Sequence, residues 1–334
     1  MRNQTIEVMK GLCITGVVLL HAVFIHYGEN NSLSIMLRLV CVNAFLFLSG
    51  YVVYGKINNQ WVIQRVIRFL PLLAIFTSIY WLLGTYVVGI DGGENLDIPL
   101  GNFYLFNLFI GFNGLILWYI WQLLLCYGAL LAVEKVKVNF LLKMSIAIVF
   151  IVLIPLDGLG LNFLKWYGLF ILAGYTWHYI VDYYRVYKLV MVAMLFPFSF
   201  LIPLTYQSPY INGGYVDIAR AIINGESVYI LYYLIVAVSG IALLYLVSRL
   251  LVRVKWLTLI ASSSIGILLL HKIFLEVNLI DNLWLSAIIA EILALGLYQL
   301  LKRVKILDYI LFGGTDIPIK ISNKIGGWYV KAQA

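Results

Sequence analysis

The sequence predicts an all-α, polytopic membrane protein with about ten transmembrane helices and both termini in the cytoplasm. Three observations carry that reading. Hydrophobic residues make up 63% of the 334 and charged residues only 11%, with a mean hydropathy of +0.97; water-soluble globular chains do not have this balance. Apolar runs of about twenty residues, long enough as helices to cross a hydrocarbon core of roughly 30 Å, recur along the whole chain. They are too long and too uninterrupted for the alternating strands of a membrane barrel. Basic residues, finally, gather between alternate runs, as cytoplasmic loops require.

The runs fall at 8–27, 33–54, 69–90, 115–133, 140–156, 163–181, 189–206, 227–247, 256–276 and 283–301. The fifth is short, and 103–112 reads as a re-entrant or interfacial piece. With the N-terminus inside, nineteen of the 23 basic residues fall on the cytoplasmic side, in groups running from Arg2 and Lys10 to Lys320, Lys324 and Lys331. Lys165, Arg220 and Lys272 fall outside, and Arg38 lies within the second span. The net charge of +8 therefore expresses topology, and no nucleic-acid partner is implied. A basic N-terminus before an apolar stretch resembles a secretory signal, but Glu7, Lys10 and His21 suit a retained first helix better. Cys13, Cys41 and Cys126 all lie inside apolar runs and read as small packing residues. Residues 1–305 are expected to form the membrane domain, and 306–334 a cytoplasmic tail.

Ionisable groups at membrane depth are costly unless paired or hydrated, so each is a candidate for function. Lys10 and His21 stand eleven residues apart on the first run. That spacing advances a helix by about 16.5 Å and brings the second side chain back to within roughly 20° of the first. A polar stripe thus runs from the cytoplasmic boundary halfway into the membrane, ending on an imidazole that can accept a hydroxyl proton at neutral pH. A structural histidine bonded to a neighbouring helix would present the same pattern. Arg65 and Arg68, just before the third run and followed by Pro71, form a cytoplasm-facing fork suited to phosphate oxygens, or serve as ordinary positive-inside anchors.

Arg38 and Glu291 are placed roughly 8 Å and 12 Å below the outer boundary, where they could pair across helices. In the ninth run Ser264 and His271 are seven residues apart and share a helix face, with His271 toward the outer end. Ser49-Gly50 lets a neighbouring helix or a slender ligand approach the backbone. Four histidines without clustered carboxylates or thiolates make no metal site.

Taken in order, Lys10-x10-His21, Phe47-Leu48-Ser49-Gly50-Tyr51, Arg65-x-x-Arg68 with Pro71, Leu117-Trp118-Tyr119-Ile120 and Ser264…His271 resemble the acyltransferase-3 family of bacterial integral-membrane O-acyltransferases. The resemblance covers most of residues 1–303. It implies transfer of an acyl group, commonly acetyl, from cytoplasmic acyl-CoA to a hydroxyl of a carbohydrate or other envelope acceptor. By that resemblance His21 is the catalytic base or a transient acyl carrier, Lys10 a catalytic and donor-side cation, and Arg65 and Arg68 the contacts for CoA phosphates; Arg38, His271, Glu291 and Ser264, read from their places in the spans, are expected on the acceptor side. Lys272 stands where proline often follows the last histidine of the family pattern. The implied setting is the inner (plasma) membrane, among lipids, with acetyl-CoA or another acyl-CoA as donor. There is room for a partner in glycan biosynthesis and for a homo-oligomer. A transporter or flippase for a lipid-linked sugar or small organic acid, with Arg38, Glu291 and His21 lining its path, is the alternative.

Overall fold

The computed structural model describes residues 3–28, 31–86, 99–109, 117–153, 161–180, 186–197, 208, 211–212, 215–277 and 280–312. Helices dominate: α1 Gln4–Tyr27, α2 Ser32–Leu37, α3 Asn43–Val53, α4 Asn59–Tyr86, α5 Leu100–Phe109, α6 Trp118–Glu134, α7 Phe140–Leu153, α8 Leu161–Ile180 and α9 Val186–Ala193. They continue as α10 Ile218–Ile223, α11 Ser227–Leu250, α12 Lys255–Ser262, α13 Ser264–Val277, α14 Leu283–Leu301 and α15 Lys305–Phe312. A wide π-helical turn, Arg38–Val42, joins α2 to α3. The only strands among the described residues are β1 Ile211–Asn212 and β2 Tyr215–Val216, a two-residue antiparallel ladder pairing Ile211 with Val216.

Short polar side chains set many of the helix starts. Asn3, Asn31, Asn58, Asn139 and Asn282 each accept a backbone N–H two or three residues on, at 2.8–3.1 Å, satisfying donors that the first turn leaves open.

Five helical spans are long and apolar enough to cross a membrane: Gln4–Tyr27, Ser32–Val53, Asn59–Leu82, Ser227–Leu250 and Leu283–Leu301. They correspond to the expected first, second, third, eighth and tenth spans. The expected ninth is α12 and α13 together, bent by 85° at Ser263. The fourth and fifth are the shorter apolar helices α6 and α7, the sixth is α8, and α9 covers the start of the seventh, whose residues 198–206 lie outside the described ones. On α11, Val228, Leu231, Ile235 and Val238 form an exposed apolar stripe at helical spacing, a surface suited to lipid rather than water.

The chain divides into two compact units. The first contains Met1–Tyr54 and Asn162–Gly296 with Ile148–Pro155. At its centre α1 packs against α12, α13, α11, α2, α3 and the wide turn, with Val8, Met9, Cys13, Ile14, Val18, Ala22 and Val23 fully covered. Close approaches are made over glycine. A Cβ on Gly11 would stand 3.0 Å from the carbonyl carbon of Leu257. Gly50 and Gly174 face one another across α3 and α8, and a Cβ on Gly50 would lie 2.8 Å from the Ile171 carbonyl carbon, one on Gly174 2.7 Å from that of Phe47. The aromatic pairs Phe47–Trp177 and Tyr54–Tyr175, with centroids 5.8 and 5.3 Å apart, flank this crossing. The Ser49-Gly50 pattern thus serves a neighbouring helix.

Lys165, Arg220 and Lys272, the three cations that break the inside bias, are each ion-paired. Lys165 Nζ lies 2.9 Å from Asp217 Oδ2, both nearly inaccessible, and Arg220 Nε lies 3.8 Å from the same oxygen. Lys272 pairs with Glu276 at 3.4 Å along α13.

The second unit contains Gly55–Ala147, Leu156–Leu161 and Leu297–Ala334. Here α4 packs against α5, α6 and α15. Helix α4 starts ten residues earlier than the expected third span, so Arg65 and Arg68 lie within it and Pro71 is an interior residue. The expected cytoplasmic tail begins as a folded element: α15 packs on α4, and Phe312 is buried edge-on against Tyr298, centroids 4.7 Å apart.

Candidate active site

An unbroken α1 places Lys10 and His21 on one side of the same helix, as their spacing predicts, and both are half-buried. His21 Nδ1 lies 2.9 Å from Val17 O, one turn back. It also lies 3.1 Å from Nε2 of His271, a residue 250 positions away on α13 that is fully buried. The rings meet edge to face, centroids 4.9 Å apart. His271 Nδ1 is in turn 2.7 Å from Ile267 O. The two intramembrane imidazoles therefore form one hydrogen-bonded pair, each anchored to its own helix backbone.

Around the pair, Phe24 contacts the His21 ring edge-on at 5.6 Å, and the Arg38 guanidinium sits 4.8 Å over the face of Phe24. Arg38 and Lys272 lie within electrostatic reach of His21. The depths of Arg38 and Glu291 along their spans allow the two to pair across helices. Instead Thr15 Oγ1 donates to Glu291 Oε1 at 2.8 Å, tying the buried carboxylate of α14 to α1. Depth along a span does not fix the direction in which a side chain points. Ser264 is buried at the first turn of α13, two turns from His271 and directly after the break at Ser263.

The second unit holds the other expected pair. The Arg65 guanidinium lies 4.7 Å over the Trp61 ring, one turn earlier on α4, and Trp61 packs edge-on against Tyr127 of α6 at 4.9 Å. Arg68 lies 5.5 Å over Phe69, and its Nε is buried with no hydrogen-bond partner among the described residues. Arg65, Tyr127, Tyr298 and Asp308 all lie within electrostatic reach of Arg68. Two neighbouring guanidinium groups on aromatic faces, one with an unmatched buried donor, make a cradle for an anion.

Several of these partners escape a reading of sequence alone. Thr15 is a neutral hydroxyl in an apolar run, and Tyr127, Tyr298 and Asp308 come from distant segments. Trp61, four residues before Arg65, is the exception, because that interval stacks side chains on one helix face.

Helices of membrane-spanning length, an exposed apolar stripe on α11, and paired imidazoles beside a hydroxyl-bound carboxylate in the first unit define a membrane protein with a polar intramembrane site. Residues 3–300 match the family model described as an acyltransferase domain, and the chain belongs to the acyltransferase-3 family of membrane acyltransferases. No curated protein and no solved structure matches it.

Proposed function

We propose that the protein transfers an acyl group, in the first instance acetyl, from cytoplasmic acyl-CoA to a hydroxyl of an extracytoplasmic carbohydrate or cell-envelope acceptor, working in the inner (plasma) membrane with both termini in the cytoplasm. The observation that carries this reading is the His21–His271 pair inside a membrane-spanning unit of an acyltransferase family. An imidazole is the side chain best matched to taking a proton from a hydroxyl near neutral pH.

In the proposed reaction Arg65 and Arg68 hold the phosphates of CoA, and their aromatic seats, Trp61 and Phe69, keep the guanidinium groups directed. Lys10 lies on the donor side of α1, three turns before His21, and supplies positive charge along the route of the thioester. The acceptor enters from the outer side, past Arg38, Glu291, Ser264 and His271. As its oxygen attacks the thioester carbonyl, His21 takes the hydroxyl proton. The C–S bond then breaks and the proton passes to the departing CoA thiolate. Arg38, whose guanidinium sits 4.8 Å over the Phe24 ring that meets His21 edge-on, lends positive potential to the negative charge that develops on the carbonyl oxygen.

Reconstitution tests the proposal. Protein in liposomes is given labelled acetyl-CoA on one face and crude envelope polysaccharide on the other. Label appearing in the polysaccharide and lost in His21→Ala supports the reading. Movement of a sugar or organic acid without acylation would establish the transporter alternative instead.

A further inference from the structure

The geometry points to His271 as a positioning residue that fixes which nitrogen of His21 is basic and shares the proton His21 takes up. This rests on the reading of His21 as the base, and it assigns a specific atom and a specific partner to that role.

The ring nitrogens can be assigned from their neighbours. A carbonyl oxygen only accepts, so Nδ1 of His271, 2.7 Å from Ile267 O, carries a hydrogen. Nδ1 of His21, 2.9 Å from Val17 O, carries one for the same reason. Neutral imidazole has only one N–H, so Nε2 of each ring is bare. At 3.1 Å from His21 Nδ1, the bare Nε2 of His271 is an acceptor, and the His21 Nδ1–H is shared between it and Val17 O. Each ring is thus held in the Nδ1–H form, and the bare Nε2 of His21 is the atom that meets the acceptor hydroxyl.

The proton balance follows. When the acceptor O–H gives its proton to His21 Nε2, His21 becomes an imidazolium whose Nδ1–H points at the lone pair of His271. The positive charge is shared across that hydrogen bond. The Nδ1 proton can shift onto His271 Nε2 and return, with no atom leaving the pair. When the C–S bond has broken, the CoA thiolate takes the proton from His21 Nε2, and both rings are again neutral. A carboxylate in place of His271 would bind the imidazolium more strongly, but it would have to remain ionised at a fully buried position between catalytic cycles. Two neutral rings with satisfied N–H groups avoid that cost.

Two measurements on the full chain in liposomes test this. The first is kinetic, with acetyl-CoA and crude envelope polysaccharide. His271→Leu removes the acceptor but leaves Val17 O on the His21 Nδ1–H, so kcat should fall about 10²-fold, at the low end for impaired acid–base catalysis, with KM for acetyl-CoA nearly unchanged. His271→Gln, whose amide oxygen reaches the place of Nε2, should recover about tenfold of that loss. Unchanged kcat in His271→Leu, with His21→Ala inactive, overturns the proposal and leaves the base assignment intact. An active His21→Ala overturns both.

The second measurement needs no substrate and no alteration of either ring. Solid-state NMR of 15N-histidine protein carrying His26→Gln and His178→Gln reports only His21 and His271. Both should show a protonated Nδ1 and a bare Nε2. A protonated Nε2 on either neutral ring overturns the proposal whatever the activity.

Discussion

Replacing Gly50 or Gly174 with alanine tests the crossing of α3 and α8 directly. The added Cβ at Gly50 would lie 2.8 Å from the Ile171 carbonyl carbon and 2.9 Å from Tyr175 N, where ordinary contact begins at 3.4 Å. At Gly174 the corresponding distances are 2.7 Å to the Phe47 carbonyl carbon and 2.9 Å to Tyr51 N. The obstructing atoms are backbone on both sides, nearest of all the carbonyl oxygens of Ile171 and Phe47, so no rotamer change relieves them; one helix must move by about 1 Å or more. Overpacking of this kind costs about 1–3 kcal/mol, and the rigid partner places each single variant toward the upper end. The double variant should cost clearly less than the sum, because the gap opened by one methyl also accommodates the other. Unfolding in mixed micelles titrated with denaturing detergent, followed by tryptophan fluorescence, gives the four free energies of the cycle. Single variants within about 0.5 kcal/mol of the parent, or strictly additive costs, would refute the reasoning.

Three further outcomes follow from named contacts. Asp217→Asn should destabilise by about 3 kcal/mol by breaking the nearly inaccessible pair with Lys165; Lys165→Met should cost less, because Arg220 Nε stays 3.8 Å from Asp217 Oδ2, and the two together should cost less than their sum in the same assay. Arg68→Ala should raise KM for acetyl-CoA about tenfold or more with kcat little changed, the expected loss of a charge-assisted contact to phosphate. Acetyl-pantetheine, which lacks the phosphates, should not distinguish the variant from the parent. Thr15→Val removes the hydroxyl that donates to Glu291 and should cost about 1–3 kcal/mol; adding Glu291→Gln should lessen that cost, as read by thermal unfolding.

The helices were legible because burying apolar length is a property of consecutive residues. The eleven-residue interval from Lys10 to His21 held for the same reason: α1 is continuous, so helix geometry alone fixes the relation. Contacts between distant segments were not legible. Both imidazoles stood out in the sequence as costly at membrane depth, yet nothing in either run announces that His21 and His271 touch. Hydropathy also misplaced the start of α4, since its first turns are polar; Asn58, which accepts from Trp61 N at 2.9 Å, was the available signal. Nothing in the Ser262-Ser263-Ser264 run announces a bend. In the structure it is where the ninth span breaks, with Ser263 N–H shared between Leu259 O and Ile260 O.

The wide turn at Arg38–Val42 has a bearing on how the second span is divided. An extra residue in one turn offsets everything beyond it by about 100° relative to a continuous α-helix. Cys41 is the residue a methyl on Gly16 of α1 would strike, Val40 meets Gly240 of α11, and Gly50 meets α8. Three neighbours are thus served from one rod whose halves keep separate phase. A single-residue deletion in the wide turn would remove one side chain and leave the hydropathy almost unchanged, yet swing the lower half out of register with the helix it was shaped to fit.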